Sequence, residues 1–442
     1  MANILIFGAG KSSSFLIRYL LDHSEAENWE ITVADASEEA AKARVKDHPR
    51  GKAVLADIAD ANHRMYLVED ADLVISLLPP DLHFLLAADC LASGKHLLTA
   101  SYVSDKIKML DASARNGELL FMNELGLDPG IDHMSAMNMI STLHQEGASI
   151  RSFKSYCGGL VAPACDTNPW HYKFSWNPRN VVLAGKAGAH YLENGNDVHL
   201  NYGDLFRTVE HIDIPGIGTL AAYANRDSLS YQSVYGLDEV STLLRATFRY
   251  PAFCAAWDKV VQLGLTREDD ATDTEGLTYH DWFMAASKGI KGSTPEERMK
   301  TVCGEDISSF KLLRWMDMCD DDLIVHPSYG TSADILQTIL ETRWAMEETD
   351  RDMIVMHHVF NYDLKGVPGE WTSTLIVEGD DKEYTAMAKT VGLPLAIFAR
   401  LWLRGDIQGL SGVQIPIMPE VYEPVLKELE QYGIVFTENR AW

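Results

Sequence analysis

Over its first 125 residues the chain alternates short apolar runs with stretches that carry apolar residues at helical spacing. Six runs have the length and flanks of buried strands, among them Asn3–Phe7, Glu30–Ala34 and Leu73–Leu77. Strands that alternate with helices through short links become parallel neighbours joined by crossover helices. The pattern therefore predicts an N-terminal doubly wound parallel sheet of the Rossmann type over residues 1–129.

The first strand runs directly into a glycine-rich turn, Gly8-Ala9-Gly10, that opens a helix. The first glycine permits a tight turn, the second lets the backbone approach a pyrophosphate, and the helix N-terminus offers N–H groups to phosphate oxygens. Ser13 replaces the usual third glycine with another small residue. We therefore predict that a nicotinamide dinucleotide contacts this turn, at Gly8, Gly10, Lys11, Ser12 and Ser13.

The end of the second strand carries an acidic residue, Asp35. A carboxylate at this place accepts hydrogen bonds from the adenosine ribose and repels a 2′-phosphate, and no arginine follows it directly. The sequence therefore favours NAD, with NADP as the alternative. Asp57 after the third strand, and Leu78 and Pro79 after the fourth, lie where such folds contact adenine and ribose.

After Pro129 the pattern changes, and at 442 residues the chain is long enough for two or three domains. We predict a second α/β domain over 130–390, with a mostly antiparallel sheet and a helical insertion at about 238–345. Residues 391–442 are expected to return to the first domain. Within the second domain, Val181–Leu183 and residues 353–364 and 371–379 are predicted as strands, and Val240–Phe248 as a helix.

The net charge of −26 disfavours nucleic acids and anionic membranes as partners, because both need a basic surface. No uninterrupted apolar run reaches the roughly 18–20 residues that cross a bilayer, and six scattered cysteines without CxxC spacing suggest a reducing cytoplasm. His357 and His358 are adjacent in a predicted strand, so they point to opposite faces and cannot share a metal ion. We predict no metal site.

Several long blocks resemble the saccharopine dehydrogenase (glutamate-forming) family, also called saccharopine reductases. They are Leu97–Ser104, Met122–His133, Ser155–Leu160, Asn168–Trp176, Ala224–Ser228 and Ala246–Tyr250. The resemblance implies an enzyme that oxidises saccharopine with NAD(P) and water to glutamate and 2-aminoadipate semialdehyde, commonly as a homodimer. Fungal members use NADP and carry an arginine near the second strand, where this chain has Asp35.

Asp128 follows a predicted strand and precedes Pro129, which places it at the carboxyl edge of the parallel sheet, where ligands bind. Its carboxylate could accept the proton of the substrate amine, although the sequence does not decide which group is the general base. Tyr102 and Cys157 are the other catalytic candidates. The resemblance implies substrate contacts at Ser101, Tyr102, Asp128, Arg226, Thr247, Phe248 and Arg249, and further cofactor contacts at Ala100, Ser101, Leu127, Asp128, Pro129 and Ser175.

Arg226 and Arg249 are expected to clamp carboxylates of a small-molecule substrate, because a guanidinium matches a carboxylate in bidentate geometry.

Two other functions stay open. One is a carboxynorspermidine-type dehydrogenase of polyamine synthesis, whose substrate carries fewer carboxylates and more positive charge. The other is a non-catalytic nucleotide sensor, since fold alone does not determine function.

Overall fold

A computed structural model describes all residues from Met1 to Trp442. The chain divides into two compact units, and each is discontinuous in sequence. Unit 1 comprises Met1–Ala148 and Leu375–Thr437, and unit 2 comprises Ser149–Thr374 and Glu438–Trp442.

The strands are numbered in chain order. They are β1 Ala2–Phe7, β2 Trp29–Asp35, β3 Gly51–Leu55, β4 Leu73–Ser76, β5 His96–Thr99, β6 Leu120–Met122, β7 Ser149–Val161, β8 Ala189–Glu193, β9 Asn196–Leu200, β10 Val209–Ile214, β11 Gly218–Ala224, β12 Arg226–Asp227, β13 Thr242–Arg249, β14 Thr272–Asp273, β15 Tyr329–Gly330, β16 Asp352–Leu364, β17 Val367–Glu378, β18 Gly412–Gln414 and β19 Phe436–Ala441.

The α-helices are numbered in the same way. They are α1 Ser14–Ser24, α2 Glu38–Val45, α3 Ala61–Glu69, α4 His83–Ser93, α5 Asp105–Lys108, α6 Asp111–Asn116, α7 Ile131–Glu146, α8 Pro178–Val182, α9 Tyr202–Leu205, α10 Pro251–Gln262, α11 Tyr279–Ala286, α12 Pro295–Cys303, α13 Ile307–Trp315, α14 Ser332–Arg343, α15 Ala386–Arg404 and α16 Pro419–Leu429.

Unit 1 is built on a seven-stranded sheet in the order β18-β6-β5-β4-β1-β2-β3. All of its neighbouring strands run parallel. The central strand β1 is buried from Ile4 to Phe7, which explains why it reads as a continuous apolar run. The predicted doubly wound parallel sheet is confirmed, with the strand order of a dinucleotide-binding fold.

The long apolar helix α15 packs on α1. A side chain at Gly392 of α15 would bring its Cβ within 2.8 Å of the backbone nitrogen of Leu16, so only glycine allows this approach of the two helices. By length and composition α15 could cross a membrane, but 67% of its most apolar window is buried in the structure. That burial is typical of a core helix.

Unit 2 is built on a mixed ten-stranded sheet whose main path is β10-β11-β13-β7-β16-β17-β19, with β8, β9 and β12 beside it. The long strands β7 and β16 are antiparallel neighbours, whereas β7 and β13 run parallel. The predicted strands at 353–364 and 371–379 correspond to β16 and β17. The apolar core beneath this sheet is rich in aromatic rings, including Trp170, Trp257 and Trp344.

Two predicted elements of unit 2 are wrong. Val240–Phe248 was expected to be helical but forms most of β13, between β7 and β11. Leu243, Leu244, Arg245 and Ala246 are all buried, and a run that is buried on both faces has no strand period to distinguish it from a helix. Helices of the predicted insertion therefore begin only at Pro251.

The second wrong prediction is the strand at Val181–Leu183, which lies in and just after the short helix α8. The side chain of Asn177 accepts a hydrogen bond from the backbone N–H of Arg179 at 2.9 Å, and Pro178 occupies the first helical position. This cap starts a helix in spite of the β-branched valines that follow.

Because β7 and β13 lie close together in the sheet, we predict that a side chain at Gly158 destabilises unit 2. A Cβ at this position would lie 2.6 Å from the carbonyl oxygen and 2.7 Å from the Cβ of Phe248. We expect Gly158→Ala to lower the free energy of unfolding of unit 2 by about 1–3 kcal/mol, the usual effect of overpacking. Urea unfolding followed by tryptophan fluorescence measures this, because eight of the ten tryptophans lie in unit 2.

The matched control is Gly203→Ala in α9, where an added Cβ meets nothing within 4 Å. Alanine there should leave stability unchanged or raise it by up to about 1 kcal/mol. Equal effects of the two variants would contradict the packing argument.

Candidate functional site

The glycine turn after β1 has the geometry that a pyrophosphate requires. Gly8 has φ +110°, and a Cβ there would lie 3.1 Å from the carbonyl oxygen of Leu77. A Cβ at Gly10 would meet no atom within 4 Å, so open space adjoins this part of the backbone. Lys11–Ser13 form a 3-10 turn, and α1 follows without a side-chain cap. These residues fit a dinucleotide phosphate at the start of α1.

Asp35 at the end of β2 is tied to this turn by its carboxylate. Oδ2 accepts the backbone N–H of Ala9 at 2.7 Å, and Oδ1 accepts that of Ser37 at 2.9 Å. The guanidinium of Arg44 donates to the carbonyl oxygens of Ala9 at 3.3 Å and Gly10 at 3.1 Å. The carboxylate therefore shapes the turn, whether or not it also binds a ribose.

The other cofactor candidates of unit 1 follow the parallel strands. Asp57 is exposed after β3, where its carboxylate accepts the backbone N–H of Ala59 at 2.8 Å. Leu78 and Pro79 follow β4, and Ala100 follows β5. The carboxyl ends of parallel strands lie at one edge of the sheet, so these residues share the edge that carries the glycine turn.

Two catalytic candidates are in direct contact at this edge. The hydroxyl of Tyr102, after β5, donates a hydrogen bond to Oδ1 of Asp128, after β6, at 3.2 Å. Both residues are half-buried, and the neighbouring Leu127 and Pro129 are buried. The structure therefore places the carboxylate of Asp128 and the phenol of Tyr102 within hydrogen-bond distance of each other.

The loops that carry this pair are joined by a residue that the sequence analysis missed, Glu124. Its Oε1 accepts the backbone N–H of Val103 at 3.0 Å, and its Oε2 lies 2.8 Å from Nε2 of the buried His133. The backbone N–H of Glu124 also donates to the carbonyl oxygen of Ser101 at 3.0 Å. A charged residue between the apolar runs Leu119–Met122 and Leu125–Leu127 was the signal available in the sequence.

A second residue missed by the sequence analysis, His83, orients Ser101. His83 is buried at the start of α4, with Nδ1 2.7 Å from the hydroxyl of Ser76 and Nε2 2.7 Å from the hydroxyl of Ser101. Burial lowers the pKa of His83 to about 4, so the ring is neutral near pH 7 and can donate from one nitrogen while accepting at the other. The imidazole thus fixes the orientation of a predicted substrate contact.

Unit 2 holds a buried guanidinium without an acidic partner, that of Arg249. The residue is 3% exposed; its Nη1 donates to the carbonyl oxygen of Phe248 at 2.8 Å, its Nε has no hydrogen-bond partner, and no carboxylate forms an ion pair with it. Three aromatic rings surround it, with its Cζ 5.1 Å from the ring centroid of Tyr172, 5.5 Å from that of Phe253 and 6.0 Å from that of Tyr223.

The groups around Arg249 do not neutralise its charge. Burial raises the pKa of the phenols of Tyr172 and Tyr223, so both are uncharged at neutral pH. Cation–π contacts contribute roughly 0.5–2 kcal/mol each, whereas burying a charge costs several kcal/mol. An anion bound beside Arg249 would supply the missing compensation.

The remaining candidates of unit 2 lie on β7, β12 and β13 and in the segment before α8. Thr247 is opposite Cys157 in the β13–β7 pair, and Cys157 and Phe248 are buried. Arg226 is exposed on the short strand β12, at φ +54°. Ser175 is buried in the segment between β7 and α8. The structure thus brings Cys157, Thr247 and Arg249 to one face of β7 and β13, whereas Phe248 points to the other face and stacks on Tyr156.

Comparison with known proteins places both units in one family. The family model described as saccharopine dehydrogenase NADP binding domain matches residues 4–122, and that described as saccharopine dehydrogenase C-terminal domain matches residues 126–434. The mitochondrial alpha-aminoadipic semialdehyde synthase of Bos taurus is 35% identical over 444 residues, which cover 98% of this chain and 47% of the relative. The chain therefore spans about half the length of this mammalian relative.

Two further matches, one in sequence and one in structure, cover nearly the full length of both chains. Saccharopine dehydrogenase (NADP(+), L-glutamate-forming) of Saccharomyces cerevisiae is 33% identical, with 99% of both chains covered. The solved structure of apo histidine-tagged saccharopine dehydrogenase (L-Glu forming) from the same yeast superimposes with a TM-score of 0.88, at 30% identity and full coverage of both chains.

The buried state of His83 predicts a pH dependence of stability. Because the folded pKa is about 4 and the unfolded value is about 6.5, the unfolded chain binds a proton that the folded chain does not as the pH falls between these values. The free energy of unfolding should decrease over this window, by up to about 1.4 kcal/mol per pH unit from this residue. In His83→Gln the free energy of unfolding should decrease less steeply with falling pH. Urea unfolding at several pH values, followed by circular dichroism, measures this.

Burial also lowers the pKa of His357 in unit 2 to about 4. His357→Gln therefore serves as the comparison, and its free energy of unfolding should also decrease less steeply with falling pH than that of the wild type. If the wild type and His83→Gln lost stability with equal slopes between pH 6.5 and 4, the buried neutral state of His83 would be contradicted.

Proposed function

The chain belongs to the saccharopine dehydrogenase family, and from that premise we propose that it oxidises saccharopine to glutamate and 2-aminoadipate semialdehyde in lysine metabolism. The observation that carries the proposal is the buried guanidinium of Arg249, which has no anion within the protein. A substrate with three carboxylates supplies one. The full-length match to a yeast relative named as an L-glutamate-forming saccharopine dehydrogenase supports the same activity.

The proposed reaction has two stages. The carbon beside the secondary amine loses a hydride to the oxidised nicotinamide, and the amine loses a proton, which leaves an imine. Water then adds to the imine carbon, and the carbon–nitrogen bond breaks to release glutamate and the semialdehyde. The amine must be neutral for the first stage, because its lone pair forms the new carbon–nitrogen double bond.

Asp128 is the residue that we propose for the proton of the amine. Its carboxylate lies at the carboxyl edge of the parallel sheet, where a nicotinamide dinucleotide binds in this fold. The hydroxyl of Tyr102 donates to Oδ1 of this carboxylate at 3.2 Å. Ser101, held by His83, adds a hydroxyl that can bind the substrate.

Arg249 is the proposed partner of a substrate carboxylate in unit 2, together with the exposed Arg226. A guanidinium that is already desolvated and surrounded by aromatic rings loses little hydration when a carboxylate binds. Thr247 lies two residues before Arg249 on β13, and Cys157 is paired with Thr247 on β7, so these side chains share one face with the arginine. Phe248 points to the opposite face, where it stacks on Tyr156, and its substrate contact stays a prediction from the sequence. Ser175 keeps its predicted role as a cofactor contact.

We propose NADP as the preferred cofactor, in place of the NAD preference that Asp35 indicates in the sequence. The matching family model and the yeast relative are both named for NADP. Both carboxylate oxygens of Asp35 accept backbone N–H groups, so the residue has a structural reason to be present. At the end of α2, Arg44 and Lys46 lie 3.2 and 3.1 Å from the single carboxylate of Glu383. Their net positive charge favours a 2′-phosphate.

The two other functions are less consistent with the site. A polyamine substrate brings positive charge, which a buried uncompensated Arg249 would repel. A nucleotide sensor has no need of the Asp128–Tyr102 pair. A homodimer, a cytoplasmic location and the lack of nucleic-acid and membrane partners stay predictions from the sequence.

A direct assay tests the activity. Purified protein is mixed with saccharopine and either NADP or NAD, and reduced nicotinamide is followed by absorbance. We expect reduction with both cofactors and a kcat/KM at least about tenfold higher with NADP, equal to roughly 1.4 kcal/mol of transition-state binding. The absence of reduction with either cofactor would refute the proposed function, and a higher kcat/KM with NAD would refute only the cofactor preference.

Asp128→Asn is the matched control for this assay, because it keeps the shape of the side chain and removes the base. We expect kcat to fall by about 10²–10⁴-fold, the range for loss of a general base, with cofactor binding retained.

Arg249 gives a prediction that separates substrate binding from a structural role. Arg249→Met removes a buried charge without a counterion and keeps the apolar length of the side chain. We expect a melting temperature equal to or above that of the wild type, because replacing an uncompensated buried charge with an apolar residue is favourable. The KM for saccharopine should rise by about 10–100-fold, corresponding to the loss of one charge-assisted hydrogen-bonded contact.

Arg245→Met on the same strand is the control. Its guanidinium is also buried, but it stacks 4.6 Å from the ring centroid of Tyr231, so KM should stay unchanged. A large loss of stability in Arg249→Met with an unaltered KM would show that Arg249 acts only in packing.

A further inference from the structure

Three side chains with metal-binding atoms converge on the β8–β9 hairpin of unit 2. Nε2 of His190 lies 2.8 Å from Oδ1 of Asp197, and Nε2 of His199 lies 3.0 Å from the same oxygen. One ligand atom from each residue can be chosen so that all lie within 4.8 Å of one another. Two imidazole nitrogens and one carboxylate oxygen form a ligand set that Zn²⁺ uses in proteins.

The hairpin places these residues on one face. His190 and His199 are directly opposite in the antiparallel pair, and Asp197 is opposite Leu192. The strands are joined by Asn194 at φ +49° and Gly195 at φ +80°, a two-residue turn with positive φ at both positions that fixes the register of a hairpin. The convergence therefore follows from the strand pairing and not from chance rotamers alone.

A second carboxylate contacts the other ring nitrogen of His190. Oδ1 of Asp227 lies 3.3 Å from Nδ1 of His190 and accepts the backbone N–H of Leu229 at 2.9 Å. Asp227 lies opposite His190 in the parallel pair of β12 and β8. A histidine that binds a metal usually donates its remaining N–H to a carboxylate, which sets the tautomer and the ring orientation. This arrangement is already present around His190.

We propose that Nε2 of His190, Nε2 of His199 and a carboxylate oxygen of Asp197 bind a Zn²⁺ ion, with Asp227 orienting His190. Water completes the tetrahedral coordination at the fourth position, since all three side chains are accessible to solvent. The sequence predicted no metal site because the residues follow no ligand-spacing motif. They become neighbours only through strand pairing and the return of the chain at β12.

The imidazole rings of His190 and His199 are stacked, with centroids 3.9 Å apart and planes inclined by 12°. Two imidazolium rings at this distance would repel each other, whereas neutral rings can stack, and the neutral form is the one that binds a metal. A metal ion lies in the plane of each imidazole ring that binds it, and two parallel stacked rings have no common plane. The rings of His190 and His199 must therefore tilt toward each other to bind one ion. His199 is 70% exposed, so its ring has room for this movement.

Metal titration of the full-length protein, carrying no histidine tag, tests the proposal without any enzyme assay. Zn²⁺ is followed by isothermal titration calorimetry at pH 7.5, and Co²⁺ by its visible absorption, which reports four-coordinate geometry. We expect one tight site per chain that is lost in the double variant His190→Ala/His199→Ala. Asp227→Asn should weaken binding by about 10–100-fold, the usual effect of removing the carboxylate behind a histidine ligand.

His211→Ala is the matched control, because it removes an exposed histidine on β10, a strand that pairs with neither β8 nor β9. It should bind Zn²⁺ as the wild type does. Wild-type affinity no tighter than that of the folded double variant, with folding verified by circular dichroism, would overturn the proposal.

Discussion

The buried carboxylate of Glu124 holds together the two loops on which the catalytic candidates of unit 1 depend. Its backbone has φ +56°, a conformation that costs a residue with a side chain roughly 1–2 kcal/mol. Its contacts with the N–H of Val103 and with His133 contribute about 1.5–3 kcal/mol each, as hydrogen bonds to a charged group do. The hydrogen bonds therefore outweigh the strain, and Tyr102 and Asp128 are kept within reach of each other.

Much of the fold could be predicted because unit 1 follows a simple rule. The strands from β1 to β6 are short apolar runs separated by helices, and the glycine turn marks the edge at which ligands bind. Unit 2 was harder because Val240–Phe248 is buried on both faces in β13, which removes the period that identifies a strand. At Val181–Leu183 a helix cap outside the predicted segment decided the structure.

Site residues, like strands and helices, could be predicted only where a local sequence pattern marks them. The sequence predicted Gly8 because it lies in a glycine turn between a strand and a helix. It predicted Tyr102, Asp128 and Arg249 because each lies in a block of consecutive residues that resembles the family. His83 has no such block, because its contacts with Ser76 and Ser101 arise only when β4, β5 and α4 pack.

Burial explains how so acidic a chain can recognise an acidic molecule. The net charge of −26 is spread over the surface, where water and salt screen it. Arg249 is removed from that field by aromatic rings and by the core of unit 2. A single cation in a site of low polarity acts more strongly on a nearby carboxylate than many exposed acidic groups at a distance.

The packing of α15 on α1 has a consequence for synthesis on the ribosome. The apolar face of α1 leaves the ribosome some 360 residues before α15 does. At elongation rates of roughly 5–20 residues per second, the delay lasts about 20–70 s. During that time Leu16 lacks its native contact with α15, so nascent unit 1 is exposed to aggregation and is a natural client for chaperones until its second segment emerges.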